Sequence, residues 1–274
     1  MVEVTSRPYS APALEKGLDI LELLASEGEP LTLRQLTDHL SRSRNEIFRM
    51  VHVLIERGYV ARDAASDGLT LTNKLFSLGM QTPRTRGLVT VATPILDKLA
   101  ESIRHSVHLV VANRGETVVI GVSNGGSDMN FSLRLGYRRP LIDAHSGLVL
   151  IAFQPPEVQN AMIQASMALM RDEFDSVSLH EELAAIRRDC SIVRESRDIL
   201  GVTDIACPIV QANGRAVASI IVAYVNRRGI VPDHEATRRR LEAACAEIAA
   251  QLDEYRSVTP ERTPENKSPE RKTR

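Results

Sequence analysis

The chain has 274 residues, enough for one large domain or two ordinary ones with tails. Its formal net charge is −1, which excludes a general attraction to nucleic acid or anionic lipid; any polyanion site must be a local basic patch. No apolar run approaches the length of a membrane span, and the N-terminus lacks the basic start and apolar core of a secretory signal. The three cysteines have no short spacing between them, so we expect reduced thiols in a soluble, cytoplasmic protein.

Two helices are predicted after a flexible stretch over residues 1–9. The first begins near Ser10 and ends before Gly28, where a glycine commonly stops a helix. Its expected buried stripe consists of Leu14, Leu18, Leu21 and Ala25. The second helix begins at Thr32, because Thr32-x-x-Gln35 has the pattern of a capping box.

The stretch SRNEIFRMVHVLIERG, residues 43–58, predicts a third helix that ends near Gly58 and has one buried face. Apolar residues recur there at helical spacing: Ile47, Met50, Val51, Leu54 and Ile55. Ser43 and Glu46 form a second capping-box pattern. The opposite face, directly after Arg42, presents Arg44, Asn45, Phe48, Arg49 and His52. Guanidinium and amide groups suit the phosphates and base edges of a DNA major groove. This helix alone is equally compatible with an ordinary solvated surface.

The neighbours of the third helix favour DNA binding. Only two residues separate it from the second helix, which is typical of a helix-turn-helix. Segments 59–62 and 69–71 around Asp67-Gly68 predict a hairpin, the wing of a winged helix. Between residues 34 and 62, six arginines face three acidic residues. We therefore predict a DNA-binding domain over residues 10–82, with contacts from Arg34, Arg42, Ser43, Arg44, Asn45, Phe48, Arg49 and Arg62.

The rest of the chain predicts a linker helix and an α+β domain. The linker covers residues 83–104, and Pro94 predicts a kink or a restart in it. Its apolar side either pairs with a partner chain or packs on the following domain. Strands are predicted at 107–112, 117–123, 129–135, 203–210 and 216–225, and helices from about 143, at 155–169, at 178–194 and at 232–256. Strands in groups separated by helices favour an antiparallel sheet with packed helices over residues 105–256. The charged, proline-containing segment 257–274 is predicted to be disordered.

Four segments in this order resemble the IclR-type transcriptional regulators, over about Ala11 to Arg256. They are ALEKGLDILELLA, EIFRMVHVLIERGYV, LRLGYRRPLIDAHSGLVLIAF and GVTDIACPIVQANGRAVASIIVAYV. The resemblance implies a winged helix-turn-helix that binds operator DNA, joined to a GAF-like domain that binds a small effector and helps to form homodimers and homotetramers. Members of the family commonly begin the recognition helix with Ser-Thr, where this chain has Asn45-Glu46, so the bases read here can differ.

The resemblance also places an effector pocket between the sheet and segment 143–153. Asp204, His145 and Ser146 match pocket positions in the family pattern, and period-two alternation puts Ile221 and Ala223 on one strand face. Backbone N–H groups at a helix start can hold a carboxylate, so we expect a small organic or aromatic acid. In the alternative interpretation, Asp204 is only a strand-end residue and His145 only a helix cap.

Other chemistry has weaker signals. His105-x-x-His108 has metal-ligand residue types, but side chains at these positions of a strand start point to opposite faces, so we expect neither metal nor cofactor. Cys207 before Pro208 is an alternative redox-sensing thiol, against an inert buried cysteine. There is no phosphate loop, nucleophile elbow or evident catalytic set. We therefore expect a regulator, of the repressor kind, rather than a GAF-like enzyme acting on its ligand.

Overall fold

The computed structural model of the chain describes residues 10–63, 66–81, 83–126, 131–170, 176–226, 229 and 232–258. The chain divides into two compact units, one up to residue 85 and one from residue 86. The first unit contains, in order, α1 (Pro12–Glu27), α2 (Leu33–Leu40), α3 (Arg44–Glu56), β1 (Val60–Arg62), β2 (Leu69–Leu71) and α4 (Lys74–Gln81). Helix α5 (Pro83–Ile103) leads into the second unit. There follow β3 (Val107–Asn113), β4 (Glu116–Ser123), β5 (Arg138–Pro140), a 3-10 turn (Leu141–Asp143), α6 (His145–Ala152), α7 (Pro156–Met167), α8 (Ser176–Asp189), β6 (Ile192–Glu195), β7 (Val202–Val210), β8 (Ala216–Val225) and α9 (His234–Val258).

Two capping boxes start the helices of the helix-turn-helix, as predicted. The Thr32 hydroxyl accepts from the Gln35 N–H at 3.4 Å, and the Gln35 side chain accepts from the Thr32 N–H at 2.9 Å. Ser43 and Glu46 repeat both bonds at the start of α3. Between the helices, Ser41 has a left-handed φ of 50°, which ends α2 and turns the chain into α3.

The first unit has its own small apolar core. It comprises Ile20, Leu24, Leu31, Leu33, Leu36, Ile47, Val51, Val60 and Leu69. Burial of Ile47 and Val51 confirms the inward face predicted for α3. The predicted stripe on α1 is wrong in part, since Leu14 is 63% exposed and Leu18 is 48% exposed. The buried residues of α1 are Ile20 and Leu24, and Leu21 of the predicted stripe packs, partly buried, against the same core.

In the described part of the second unit, six strands form one antiparallel sheet in the order β5-β4-β3-β8-β7-β6. Helices α5 and α9 pack on one face of the sheet. Helix α6 packs on the other face, and α7 and α8 pack around α6. Because both faces are covered, β7 is buried along almost its whole length: Ile205 and Cys207 face α9, and Ala206 faces α6. The predicted α+β class with an antiparallel sheet is confirmed.

The third predicted strand is wrong within the described residues. Residues 131–135 have no regular structure, and the strand of this region is β5; residues 129 and 130 lie outside the described residues. The Leu133 N–H donates to His108 Nε2 at 2.9 Å instead of to a neighbouring strand. The alternating apolar residues Phe131 and Leu133 instead line a cavity, so the period of two reflects one-sided burial in a loop.

The helix predicted over 178–194 ends earlier, at Asp189. Cys190 takes a left-handed φ of 57°, which breaks the helix, and the chain then forms β6 with Ile192 opposite Ala206. The helix ends here because the following residues pair with β7. A helical spacing of apolar residues does not reveal such a pairing.

Helices α5 and α9 differ in detail from the prediction. Helix α5 continues through Pro94 with no break, so a restart there is wrong, and the neighbouring Ala92, Ile95 and Leu96 are buried in the core of the second unit. Helix α9 continues to Val258, so residues 257 and 258 are helical and not part of the tail. The expectations for residues 1–9 and for the remainder of the tail lie outside the described residues. Over the described part of the chain, no helix is both long enough and apolar enough to cross a membrane.

Candidate DNA-binding surface and ligand pocket

The side of α3 opposite the core, here called the free face, is exposed to solvent. It comprises Arg42, Ser43, Arg44, Asn45, Phe48, Arg49 and His52. Among the described residues, Arg42, Arg44 and Arg49 have no ion-pair partner, so their guanidinium groups are available to an anionic partner. Six of the eight residues predicted to bind DNA are thus brought together on one surface: Arg42, Ser43, Arg44, Asn45, Phe48 and Arg49.

Glu46 does not place a free carboxylate on this surface. Its Oε1 accepts from Lys16 Nζ of α1 at 2.5 Å, and its Oε2 accepts from the Ser43 hydroxyl at 2.8 Å. Hydrogen bonds from Lys16 and then from Ser43 lower the pKa of Glu46 to about 2. The ionised group ties the first turn of α3 to α1, and Lys16 balances its charge. Of the unusual pair Asn45-Glu46, only the exposed Asn45 is left to contact another molecule.

Arg34 and Arg62, the other two predicted DNA-binding residues, lie on α2 and on the wing. Arg34 Nε is 3.8 Å from an Asp38 carboxylate oxygen, and Arg62 Nε is 3.5 Å from one of Asp67. Both pairs are exposed, and such pairs contribute only about 0–1 kcal/mol. A phosphate group can therefore replace either aspartate at little cost in free energy.

One cavity in the second unit, here called the pocket, is lined by all five predicted effector-binding residues. They are His145, Ser146, Asp204, Ile221 and Ala223. The pocket lies between the sheet and the start of α6. Strand register explains the grouping, because Asp204 lies opposite Ala223 and Ile221 lies opposite His108.

His145 and Asp204 form a buried hydrogen-bonded pair in the pocket. His145 Nδ1 donates to Asp204 Oδ2 at 2.9 Å, and the two residues are 3% and 7% exposed. Asp204 lies within β7, with partners on both neighbouring strands. The N-cap of α6 is Ala144, which makes no side-chain cap bond, so His145 does not cap the helix and the interpretation as a cap is wrong. The first N–H groups of α6 are not occupied by a capping side chain.

Sequence reasoning missed a charged triad in the pocket wall. Arg139 Nη2 donates to Asp143 Oδ2 at 2.6 Å, and Arg139 Nη1 lies 2.7 Å from Asp198 Oδ2. Burial alone lowers the pKa of Arg139, but hydrogen bonds and charges of the two aspartates outweigh burial and raise the pKa. Arg139 and Asp198 both line the pocket. Asp143 follows Arg139 by four residues, but Asp198 comes from a distant segment, so no local pattern marks the complete triad.

His108 is a second pocket residue that sequence reasoning did not assign. It is 0% exposed; its Nδ1 donates to the Ile221 carbonyl oxygen at 3.3 Å, and its Nε2 accepts from the Leu133 N–H. Burial lowers the pKa of His108 to about 4, so the ring is neutral at physiological pH. The two bonds hold the loop with Phe131 and Leu133 against the sheet. The available signal in the sequence is a histidine inside an apolar strand, which the metal-site interpretation does not connect with the pocket.

The alternative chemistries receive no support from the described residues. His105 Nδ1 lies 2.8 Å from the Ile103 carbonyl oxygen, and among the described residues no group of three or more His, Cys, Asp or Glu side chains is arranged to hold a metal ion. Cys207 is buried, and burial, with a smaller effect of the Glu242 charge, raises the pKa of its thiol above the ordinary value. A buried thiol of raised pKa is a poor nucleophile and a poor redox sensor.

Comparison with known proteins identifies the class. The IclR helix-turn-helix domain model matches residues 13–64, and the model of the C-terminal domain of the bacterial transcriptional regulator IclR matches residues 80–253. The fold and the two matches define a DNA-binding transcriptional regulator with a C-terminal effector domain. The chain belongs to the IclR family.

Relatives and solved structures agree with this assignment. The HTH-type transcriptional regulator KdgR of Escherichia coli K12 is 22% identical over 253 residues, covering 91% of this chain and 96% of KdgR. The probable transcriptional regulator SauR of Cupriavidus necator is 24% identical over 236 residues, covering 82% and 93%. The Thermotoga maritima IclR crystal structure has a TM-score of 0.67 at 22% identity, covering 87% of this chain and 98% of that one. An IclR homologue of Microbacterium hydrocarbonoxydans, complexed with 4-hydroxybenzoate, has a TM-score of 0.73 at 19% identity, covering 88% and 99%.

Proposed function

We propose that the chain is a cytoplasmic repressor whose free face on α3 enters the major groove of an operator. The observation that carries this proposal is a set of three exposed arginines, at the start and on the free face of α3, that have no ion-pair partner among the described residues: Arg42, Arg44 and Arg49. Arginine side chains along such a helix contact phosphates and base edges. Ser43, at the helix start, and Asn45 add polar groups to the same face. Arg34 and Arg62 are proposed to contact the DNA backbone.

The proposed effector is a small organic or aromatic acid bound in the pocket. Apolar walls that include Ile221 and Ala223 suit an aliphatic or aromatic body, and the uncapped start of α6 at His145 and Ser146 suits a carboxylate. Asp204, paired with His145, offers an acceptor for a hydroxyl group. The related protein complexed with 4-hydroxybenzoate supports an aromatic acid of this kind.

In the proposed mechanism, a homodimer or homotetramer places two recognition helices in successive major grooves, so the operator is a near-palindrome. The effector alters DNA affinity by binding one arrangement of the two winged helices more tightly than the other. The chain itself carries out no reaction on the effector, in keeping with relatives that are named as regulators.

Calorimetric titration with a panel of aliphatic and aromatic monocarboxylic acids, including 4-hydroxybenzoate, tests the effector assignment. Acids that bind the wild type should bind Asp204→Ala and His145→Ala at least several-fold more weakly. Asp189→Ala, a change at a residue that does not line the pocket, should keep wild-type affinity. Unchanged binding by both pocket variants would remove these residues from the site, and a chemically altered acid after incubation would favour an enzyme.

A further inference from the structure

The free face of α3 carries an aromatic pair that the proposed phosphate contacts do not use. Phe48 is 52% exposed, and its ring stacks parallel to that of His52, with centroids 6.4 Å apart and an interplanar angle of 1°. A phenyl ring offers neither a donor nor an acceptor to a polar partner. The apolar surface of the Phe48 ring faces solvent in the middle of a basic helix face.

The neighbours of Phe48 define the partner that covers it. Arg49 is adjacent, Arg44 lies one turn earlier, and both are exposed without an ion pair among the described residues. Asn45 precedes Phe48 by three residues, so the two side chains lie on neighbouring turns of the same helix side. This arrangement of cations around an apolar centre suits an anionic polymer that also presents a small apolar group.

In the major groove of duplex DNA, the apolar group presented by the base edges is the C5-methyl of thymine. When a recognition helix lies in the groove, residues at the centre of its face meet base edges while flanking arginines reach phosphates. We propose that Phe48, supported by the stacked His52, reads thymine through this methyl group. The inference rests on the proposed DNA binding by α3. Asn45 can pair with adenine on the preceding turn, so the half-site should contain A·T pairs at its centre.

Substitution of deoxyuridine for thymine tests the inference, since it removes only the methyl group. Preferred sites are first selected from random duplexes with the wild-type protein, and each thymine of the selected site is then replaced in turn. Affinity is measured by fluorescence anisotropy at one salt concentration. At one position per half-site, the wild type should bind the deoxyuridine duplex about fourfold more weakly, the factor expected for one buried methyl-sized group.

Phe48→Ala is the decisive variant, because it should bind the thymine and deoxyuridine duplexes equally well. Phe48 is exposed, so the variant is expected to fold, which circular dichroism checks. Val53→Ala is the matched control: Val53 is also exposed, at 48%, but lies five residues along α3 and hence on another side. It should keep the fourfold discrimination.

Five outcomes would overturn the inference. A selected half-site without thymine, equal wild-type affinity for every deoxyuridine duplex, or equal discrimination by Phe48→Ala would each remove methyl readout while leaving DNA binding intact. Loss of self-association in Phe48→Ala, seen by analytical ultracentrifugation without loss of discrimination, would make this face a protein contact instead. Failure of the wild type to select or bind any duplex would overturn the proposed function as well.

Discussion

Replacing Asp204 by alanine should lower the free energy of unfolding by about 1–3 kcal/mol, the cost of leaving a buried donor unpaired. The donor is His145 Nδ1, 2.9 Å from Asp204 Oδ2, and His145 is only 3% exposed. For a unit of this size, roughly 2–4 °C of melting temperature corresponds to each kcal/mol, so the shift should be about 2–12 °C. Because the chain has no tryptophan, circular dichroism is the suitable probe of unfolding.

Asp204→Asn separates the hydrogen bond from the charge. The asparagine carbonyl oxygen can still accept from His145 Nδ1, so Asp204→Asn should lose less stability than the alanine variant. Combining Asp204→Ala with His145→Ala should give a coupling energy of about 0.5–3 kcal/mol. Wild-type stability of Asp204→Ala, within about 0.5 kcal/mol, would refute a stabilising role for the pair.

Three further predictions concern the second unit. Burial lowers the pKa of His108 from 6.5 to about 4, so the stability that depends on the neutral ring is complete above pH 6.5 and is lost as the pH falls towards 4. Across this window, the free energy of unfolding of the wild type should fall by up to about 3 kcal/mol. His108→Gln should lack this pH dependence, and an unchanged profile would contradict the prediction. A thiol reagent should modify the exposed Cys190 rapidly in the native protein and should reach the buried Cys207 and Cys245 only after unfolding, and rapid native modification of Cys207 would revive the redox alternative. A Cβ at Gly147 would lie 2.1 Å from the Leu141 carbonyl oxygen, so Gly147→Ala should destabilise the second unit by about 1–3 kcal/mol. Gly17→Ala is the control and should not destabilise the protein, because no atom lies within 4 Å of the added Cβ. Equal stability of the two variants would show that α6 shifts to make room for the added methyl group.

Local chemistry explains why the N-terminal unit could be predicted well. The capping boxes at Thr32 and Ser43 and the hairpin turn at Asp67 each depend on residues within three or four positions of one another. Such signals are complete in a short segment of sequence, so the helix starts, the tight turn and the free face followed from them.

The second unit shows where such reasoning stops. β6 forms because Ile192 pairs with Ala206, a contact that no local period contains. Likewise, the Arg139–Asp198 pair and the contact of His108 with Leu133 join segments that are distant in sequence. The pocket residues that were predicted, such as Asp204 and His145, came from the family resemblance, and their common location was not deducible from spacing.

The most direct test of DNA binding by the free face of α3 is the salt dependence of affinity for the selected duplex. The logarithm of the association constant falls with the logarithm of salt concentration by about 0.9 for each phosphate neutralised. Arg49→Ala should therefore bind more weakly and show a slope smaller by about 0.9 per bound copy. Arg215→Ala, which removes the same charge from an exposed turn of the second unit, should match the wild type. If Arg49→Ala instead keeps wild-type affinity and slope, the free face does not contact the DNA.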